Sequence, residues 1–201
     1  PRRRASLLKH FGGMVGLTSV GATIRHAVAL GRVEADYSGA GGLVGKHYNG
    51  DVSDCYSGSS VNAKGEAGGL VGSLYAVSDI YRSYSTGAVS CEPTFAYSCG
   101  GLVGFVEGGS KVEDSYWDTE TSGQPTSVRG TGRTTAEMRQ QATYKNYNFY
   151  TLWQIDEGHG YPGFRNLSGY AVPQPVDLAG LPGTGTPADP YILSTPDELN
   201  A

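Results

Sequence analysis

Gly41-Gly42-Leu43-Val44-Gly45 decides how this chain is read, because the same pentapeptide returns three more times. The other copies are Gly12-Gly13-Met14-Val15-Gly16, Gly68-Gly69-Leu70-Val71-Gly72 and Gly100-Gly101-Leu102-Val103-Gly104, so successive copies lie 29, 27 and 32 residues apart. A steady interval of that size marks stacked repeats, in which no unit buries its apolar face alone. A second element keeps the same register. It reads Ile24-Arg25-His26-Ala27-Val28, Val52-Ser53-Asp54-Cys55-Tyr56, Ile80-Tyr81-Arg82-Ser83-Tyr84 and Val112-Glu113-Asp114-Ser115-Tyr116. Its aliphatic leaders are spaced 28, 28 and 32, and a third element places Val33, Val61 and Val89 at intervals of 28.

Each repeat thus offers three short β-favouring pieces separated by Gly, Ser, Asn or Asp turn signals. The fold expected is all-β, a right-handed parallel β-helix (solenoid) of about four coils of ~28 residues, stacked at roughly 4.8 Å. Matching positions then form columns: aliphatic at 24/52/80/112, small at 27/55/83/115, and Tyr at 56/84/116 with Val28 in the first slot. The pentapeptide glycines are read as permitting a corner that β-branched residues could not take. Both Leu and Val recur in it, so periodicity leaves open which one points inward. Helical units are excluded by the absence of 3.6-residue periodicity between residues 12 and 116. A propeller blade would need about 40 residues and four strands.

Composition narrows the function classes. Gly makes up 31 of 201 residues without a collagen triplet, and charged residues are 17 %. A formal charge of −4 argues against a nucleic-acid partner, and Arg2-Arg3-Arg4 reads as a solvated tail. No apolar run approaches the roughly 18 residues of a membrane span. Neither HExxH, GxSxG, a P-loop nor an EF-hand loop occurs. Glu107, Glu113, Asp114, Asp118 and Glu120 gather near the last repeat, as glycosidase carboxylates could, but no basic partner is predicted beside them. The four His (10, 26, 47, 159) are scattered and read as surface residues. The expectation is a chain that is not an enzyme and needs no cofactor.

After Gly123 the repeat stops. Residues 1–123 are read as the β-solenoid and 124–167 as a C-terminal cap, with a short helix over 135–142 behind a Thr134–Glu137 capping box. That helix is expected to cover the last rung, and an aromatic-rich stretch with one or two strands follows it. Residues 168–189 read as a Pro/Gly linker and 190–201 as the truncated start of a following domain, so the chain is taken as a slice of a longer modular protein. One repeat holds four extra residues and the pair Cys91 and Cys99. A disulfide closing that loop is the economical reading and implies an oxidising compartment. Cys55 falls in the small column and reads as a buried small hydrophobe.

The Gly-Gly-Leu-Val-Gly core followed by Ile/Val-x-x-Ser/Cys-Tyr-x-x-Gly resembles the GLUG-motif repeat of bacterial surface and secreted proteins, also found in immunoglobulin A metallopeptidases. Ser115 to Gly123, Thr134 to Met138 and Trp153 to Pro162 resemble the usual end of such arrays. The resemblance implies a non-catalytic structural or adhesive segment, located outside the cell or on its surface. Its partner would be a host or cell-surface protein or a glycan. The alternatives are an accessory, substrate-presenting region of a secreted peptidase or glycan-active enzyme, and a glycan-binding module. Where the family commonly has Asn before Ser/Cys-Tyr, this chain has His26, Asp54, Arg82 and Asp114. An Asp54–Arg82–Asp114 charge column is expected there, at under ~1 kcal/mol per exposed pair.

Two sets of residues stand out as candidate sites. Tyr56, Tyr84, Tyr116 and Trp117 could present stacked rings to a sugar or a protein on a flat β-face. Asp51 and Asp79 share a column one rung apart and are weak calcium candidates.

Overall fold

Strands too short to stand alone pair with their counterparts one coil above and below, and every such pair described is parallel. The computed structural model describes residues 11–36, 39–92 and 99–165. The chain divides into two compact units, Pro1–Gly163 and Phe164–Ala201, and of the second only residues 164 and 165 are described. The expected linker at 168–189 and the domain start at 190–201 lie outside the described residues.

The first unit is a parallel β-solenoid of about four turns built from four sheets. The glycine sheet stacks Phe11–Gly12, Ala40–Gly41, Ala67–Gly68 and Cys99–Gly100. The long sheet runs through Val44–Ser53 and Val71–Tyr81 in the middle coils, and in the outer coils it is split into Val15–Leu17 with Ile24–Arg25 and Val103–Val106 with Val112–Glu113. The tyrosine sheet stacks Val28–Ala29, Tyr56–Ser57, Tyr84–Ser85 and Tyr116–Asp118, and Thr131–Arg133 adds a fifth strand. The valine sheet holds Arg32–Ala35, Ser60–Ala63 and Val89–Cys91. Every aliphatic and tyrosine column expected from the intervals is present in register: Ile24↔Val52↔Ile80↔Val112, Val28↔Tyr56↔Tyr84↔Tyr116 and Val33↔Val61↔Val89.

Both Leu and Val of the pentapeptide point inward. Leu43, Val44, Leu70, Val71, Leu102 and Val103 are all fully buried. The chain bends around a single carbonyl there: Leu70 O accepts both Leu43 N–H at 2.9 Å and Val44 N–H at 3.1 Å. Consecutive side chains therefore leave on the same side. The glycines are needed for a different reason from the one expected. None of the pentapeptide glycines has a positive φ. What excludes a side chain is volume: a Cβ on Gly41 would sit 1.9 Å from Val44 O, and one on Gly101 would sit 1.9 Å from the Trp117 ring.

Left-handed backbone appears in two columns of its own. His26, Asp54, Arg82 and Asp114 have φ of 51°, 52°, 42° and 47°, and Gly21, Asn49, Ala76 and Gly108 have φ of 81°, 47°, 58° and 97°. A left-handed residue turns the chain at each corner, which favours Asn, Asp and Gly over longer or methyl-bearing side chains. The expected alternating charge column is only half built. Arg82 grips Asp54 in a bidentate pair (Nε–Oδ1 2.8 Å, Nη2–Oδ2 2.5 Å), whereas Asp114 accepts from Asn146 Nδ2 at 2.7 Å.

Next to that corner the small column forms a hydroxyl ladder. Ser83 Oγ accepts Cys55 N–H at 3.1 Å and donates to Tyr81 O at 2.8 Å, and Ser115 Oγ repeats both bonds one rung on, to Ser83 N–H and Glu113 O. The fully buried Cys55 thiol takes the donor role toward Ser53 O at 3.1 Å.

The last coil is closed by residues 121–133 rather than by the helix expected over 135–142. That helix is one turn, Thr135–Met138, with the capping box in place, and a 3-10 turn follows at Gln141–Thr143. The sealing groups are Thr121 Oγ1 on Thr86 O, Gln124 Nε2 on Val89 O, Ser127 Oγ accepting Val103 N–H, and the strand Thr131–Arg133. Trp117 plugs the interior: it follows Ala29, Ser57 and Ser85 in their column, and its Nε1–H donates to Gln124 O at 3.0 Å.

Candidate functional site

Tyr56, Tyr84, Tyr116 and Trp117 do not form an open stacking face. Tyr84 is 2 % exposed, Tyr116 4 % and Trp117 6 %, and only Tyr56 keeps a half-buried ring. The tyrosine column does point away from the solenoid interior, and Tyr56 and Tyr84 stack at 5.1 Å with 3° between planes. The segment after the capping helix lies over that column. Trp153 reaches both Tyr56 and Tyr84 at 6.0 Å, Tyr144 meets Tyr84 edge-on at 5.7 Å and Tyr116 at 5.6 Å, and Tyr161 stacks on Tyr84 at 6.4 Å. Tyr84 Oη donates to Pro162 O, and Tyr116 Oη accepts Lys145 N–H at 3.3 Å. Burial pushes the Tyr144 and Tyr147 phenols upward, as a dry aromatic cluster requires.

Of the carboxylates gathered near the last coil, Asp114, Asp118 and Glu120 are tied into the structure, whereas Glu107 and Glu113 are exposed. Asp118 is fully buried and accepts Glu120 N–H (2.9 Å), Thr121 N–H (3.1 Å), Thr135 Oγ1–H (2.7 Å) and Tyr161 Oη–H (2.7 Å). It joins the last coil to the cap. Glu120 accepts Thr135 N–H at 2.8 Å, and Asp114 is held by Asn146. Asp51 and Asp79 are register partners on the long sheet. Asp79, however, accepts Lys111 N–H at 2.7 Å and Tyr81 Oη–H at 2.8 Å, which pushes the Tyr81 phenol up to about 12. Among the described residues no group of three or more His, Cys, Asp or Glu is placed to hold a metal ion. Cys91 and Cys99 are joined as a disulfide with Cα atoms 6.0 Å apart.

His47 departs from its surface reading. It is fully buried, with Nδ1 2.7 Å from Thr18 Oγ1, and Nε2 has no hydrogen-bond partner among the described residues. Its register partner is the core residue Leu74. Burial lowers its pKa, only partly offset by the Gly50 backbone and the charge of Asp51. His26 and His159 are exposed, and His10 lies outside the described residues.

An aromatic row that the sequence reading passed over lies on the outer face of the long sheet. Tyr48 and Tyr75 stack at 4.8 Å with 13° between planes, Phe105 adds a tilted ring 5.7 Å from Tyr75, and Lys46 Nζ sits 4.4 Å over the Tyr75 ring. All four side chains are half-buried. The exposed Leu17 extends the column of Lys46 into the first coil, and the exposed Val77 stands at a β-bulge after Tyr75. The signal was available: Tyr48 and Tyr75 are 27 residues apart, the same interval as Gly41 and Gly68.

One coil of the chain matches a known repeat. Residues 36–62 match the family described as the GLUG motif. The chain carries a GLUG coil. That match spans the second coil, whose corner, tyrosine and valine elements repeat in its neighbours. Over 147 residues the chain is 32 % identical to a protein of Evansella cellulosilytica whose name describes a Gly-rich membrane protein. The alignment takes in 70 % of this chain and 13 % of that protein, so this chain spans about an eighth of this relative's length. An immunoglobulin A1 protease-like protein from Bacteroides ovatus shares the fold, with a TM-score of 0.59 and 22 % identity over 78 % of this chain and 53 % of that one.

Proposed function

We propose that the GLUG solenoid is a non-catalytic stalk with one contact face, part of a longer bacterial protein that works at the cell surface or in the medium. One observation carries this reading. The carboxylate Asp118 is consumed by four structural hydrogen bonds, while the aromatic row Tyr48–Tyr75–Phe105 with Lys46 crosses three coils on an outer face. The Cys91–Cys99 disulfide suits an oxidising compartment. No helix among the described residues is long and apolar enough to cross a membrane. The partner of the face is a host or cell-surface protein or a glycan. A second reading, an accessory substrate-presenting region of a secreted peptidase or glycan-active enzyme, draws on the fold shared with the immunoglobulin A1 protease-like protein.

The test is binding of the whole chain to arrayed glycans and to immobilised surface proteins, comparing wild type with Tyr48→Ala/Tyr75→Ala/Phe105→Ala. Binding that falls at least tenfold in the triple variant, with an unchanged circular-dichroism spectrum, supports the contact face. Binding that survives the triple variant, or no binding to either array, refutes it. Release of reducing ends or peptides from a bound ligand would refute the non-catalytic assignment.

A further inference from the structure

His47 and Tyr48 are consecutive residues on opposite faces of the long sheet. Tyr48 stacks in the aromatic row outside, while His47 is fully buried inside, level with Leu74 of the next coil. One side chain of the first coil serves both. Thr18 Oγ1 accepts Tyr48 N–H at 3.2 Å and lies 2.7 Å from His47 Nδ1, and Thr18 N–H donates to Lys46 O at 3.0 Å. Among the described residues the Thr18 hydroxyl hydrogen has no acceptor but Nδ1, which places the ring hydrogen on Nε2. That atom is buried and lacks a hydrogen-bond partner.

A second ring proton finds no place here. With N–H on both nitrogens, Nδ1–H faces Thr18 Oγ1, and the hydroxyl hydrogen loses its acceptor. The charge itself would lie in an apolar core of Val44, Val52, Leu74 and Ile80, where an unpaired ion is costly. The titratable member of that core is Cys55, a neutral thiol that burial pushes up to about 12. Lys46 and Tyr48 on the ring's own strand turn outward, as do Tyr75, Asp79 and Tyr81 in the third coil and Arg25 in the first. Glu66 is engaged by Ser73 Oγ at 2.6 Å. The charge that reaches the ring is that of Asp51; it favours the cation, as the Gly50 backbone does, but burial outweighs both.

We propose that His47 is a pH-sensitive latch for the contact face: the imidazolium leaves the interior, the Thr18 bridge breaks, and Tyr48 is unseated from its stack on Tyr75. The inference rests on the reading of the aromatic row as the contact face and adds its regulation. Tyr75 and Phe105 belong to the third and fourth coils and stay in place. The row is therefore whole at neutral pH and loses its Tyr48 end in acid. The sign follows from linkage. The opened form carries an ordinary imidazole, so each pH unit below about 6.5 favours opening by up to about tenfold.

Amide hydrogen exchange of the full chain, followed residue by residue by NMR between pH 7.5 and pH 5, tests the latch. The reporter is Tyr48 N–H, with protection factors corrected for the intrinsic pH dependence of exchange. The reference is Tyr84 N–H, which donates to Cys55 O at 3.1 Å. Tyr48 should be about tenfold less protected than Tyr84 throughout, as local opening requires, and should lose up to about thirtyfold in protection by pH 5. In His47→Leu that loss disappears. His47→Gln, which keeps a polar side chain but takes up no proton in this range, gives the same flat profile and stands in if the leucine variant misfolds by circular dichroism. Glu66→Gln keeps the wild-type profile. A Tyr48 protection factor that ignores pH, a loss that survives both His47 variants, or equal protection at Tyr48 and Tyr84 overturns the proposal. The readout needs no ligand, so failed binding on the arrays removes the contact face alone, and a flat wild-type profile removes the latch alone.

Discussion

Replacing Tyr84 by Ala separates a structural tyrosine column from a binding one. The ring is 2 % exposed and contacts four other rings, those of Tyr56, Tyr144, Trp153 and Tyr161. Removing a buried aromatic side chain costs about 3–5 kcal/mol through lost transfer energy and the cavity left behind. The variant also orphans the Pro162 carbonyl, which adds about 1 kcal/mol or more. Tyr84→Phe isolates that hydrogen bond and is expected to cost about 1–2 kcal/mol. A domain of this kind is stable by about 5–15 kcal/mol, so Tyr84→Ala takes a large share of the total. The assay is urea unfolding followed by both far-ultraviolet circular dichroism and tryptophan fluorescence. Trp153 lies in the cap and Trp117 in the core, so cap release ahead of solenoid unfolding appears as a fluorescence change that precedes the loss of β-signal. Tyr150→Ala, at an exposed ring, serves as control. A Tyr84→Ala loss within about 0.5 kcal/mol, the range of ordinary surface substitutions, would refute the account of the cap.

Ala76→Gly should stabilise the chain by about 0.5–1 kcal/mol in thermal denaturation, because it relieves a left-handed residue at φ 58°; a loss would show that the bulge carries no strain. Wild type should lose stability as pH falls below about 6.5, since the unfolded chain then binds a proton at His47 that the buried imidazole, with its lowered pKa, refuses. In His47→Leu, which copies Leu74 of the next coil, that part of the acid slope disappears; an unchanged slope would place the titration elsewhere. Cys55 should resist thiol reagents at pH 8 until urea unfolds the chain, because burial pushes its thiol up to about 12. Cys55→Ser should fold normally, as its hydroxyl matches Ser83 and Ser115 in the ladder.

Interval arithmetic made most of the solenoid legible. Residues 27 to 32 apart share a column because each coil consumes nearly the same length of chain, and register follows without knowledge of any side-chain contact. What failed were inferences about which side of a column is covered. Tyr84 and Tyr116 point outward as expected, but the rings that bury them come from Tyr144, Tyr147, Trp153 and Tyr161, which belong to no repeat and leave no periodic trace. His47 was missed because an imidazole among scattered histidines looks solvated until its column partner Leu74 is known. The left-handed corners were half visible. Asp54, Asp114 and Asn49 are residues that tolerate positive φ, but Arg82 and Ala76 share those columns and mask the pattern.

The flank-lying cap has a consequence for how such arrays change length. Its residues touch three coils at once: Trp153 Nε1 lies 3.5 Å from Asp54 in the second, Tyr161 stacks on Tyr84 in the third, and Asn146 bonds Asp114 in the fourth. It therefore works as a ruler laid along the stack, with its graduations set by the rung spacing. Inserting or deleting a coil between residue 54 and the cap would shift every mark by one rung and bring different side chains under Trp153. Duplication at the ruler's far side leaves the graduations intact, so lineages of this repeat should gain and lose coils ahead of residue 40 far more readily than behind it.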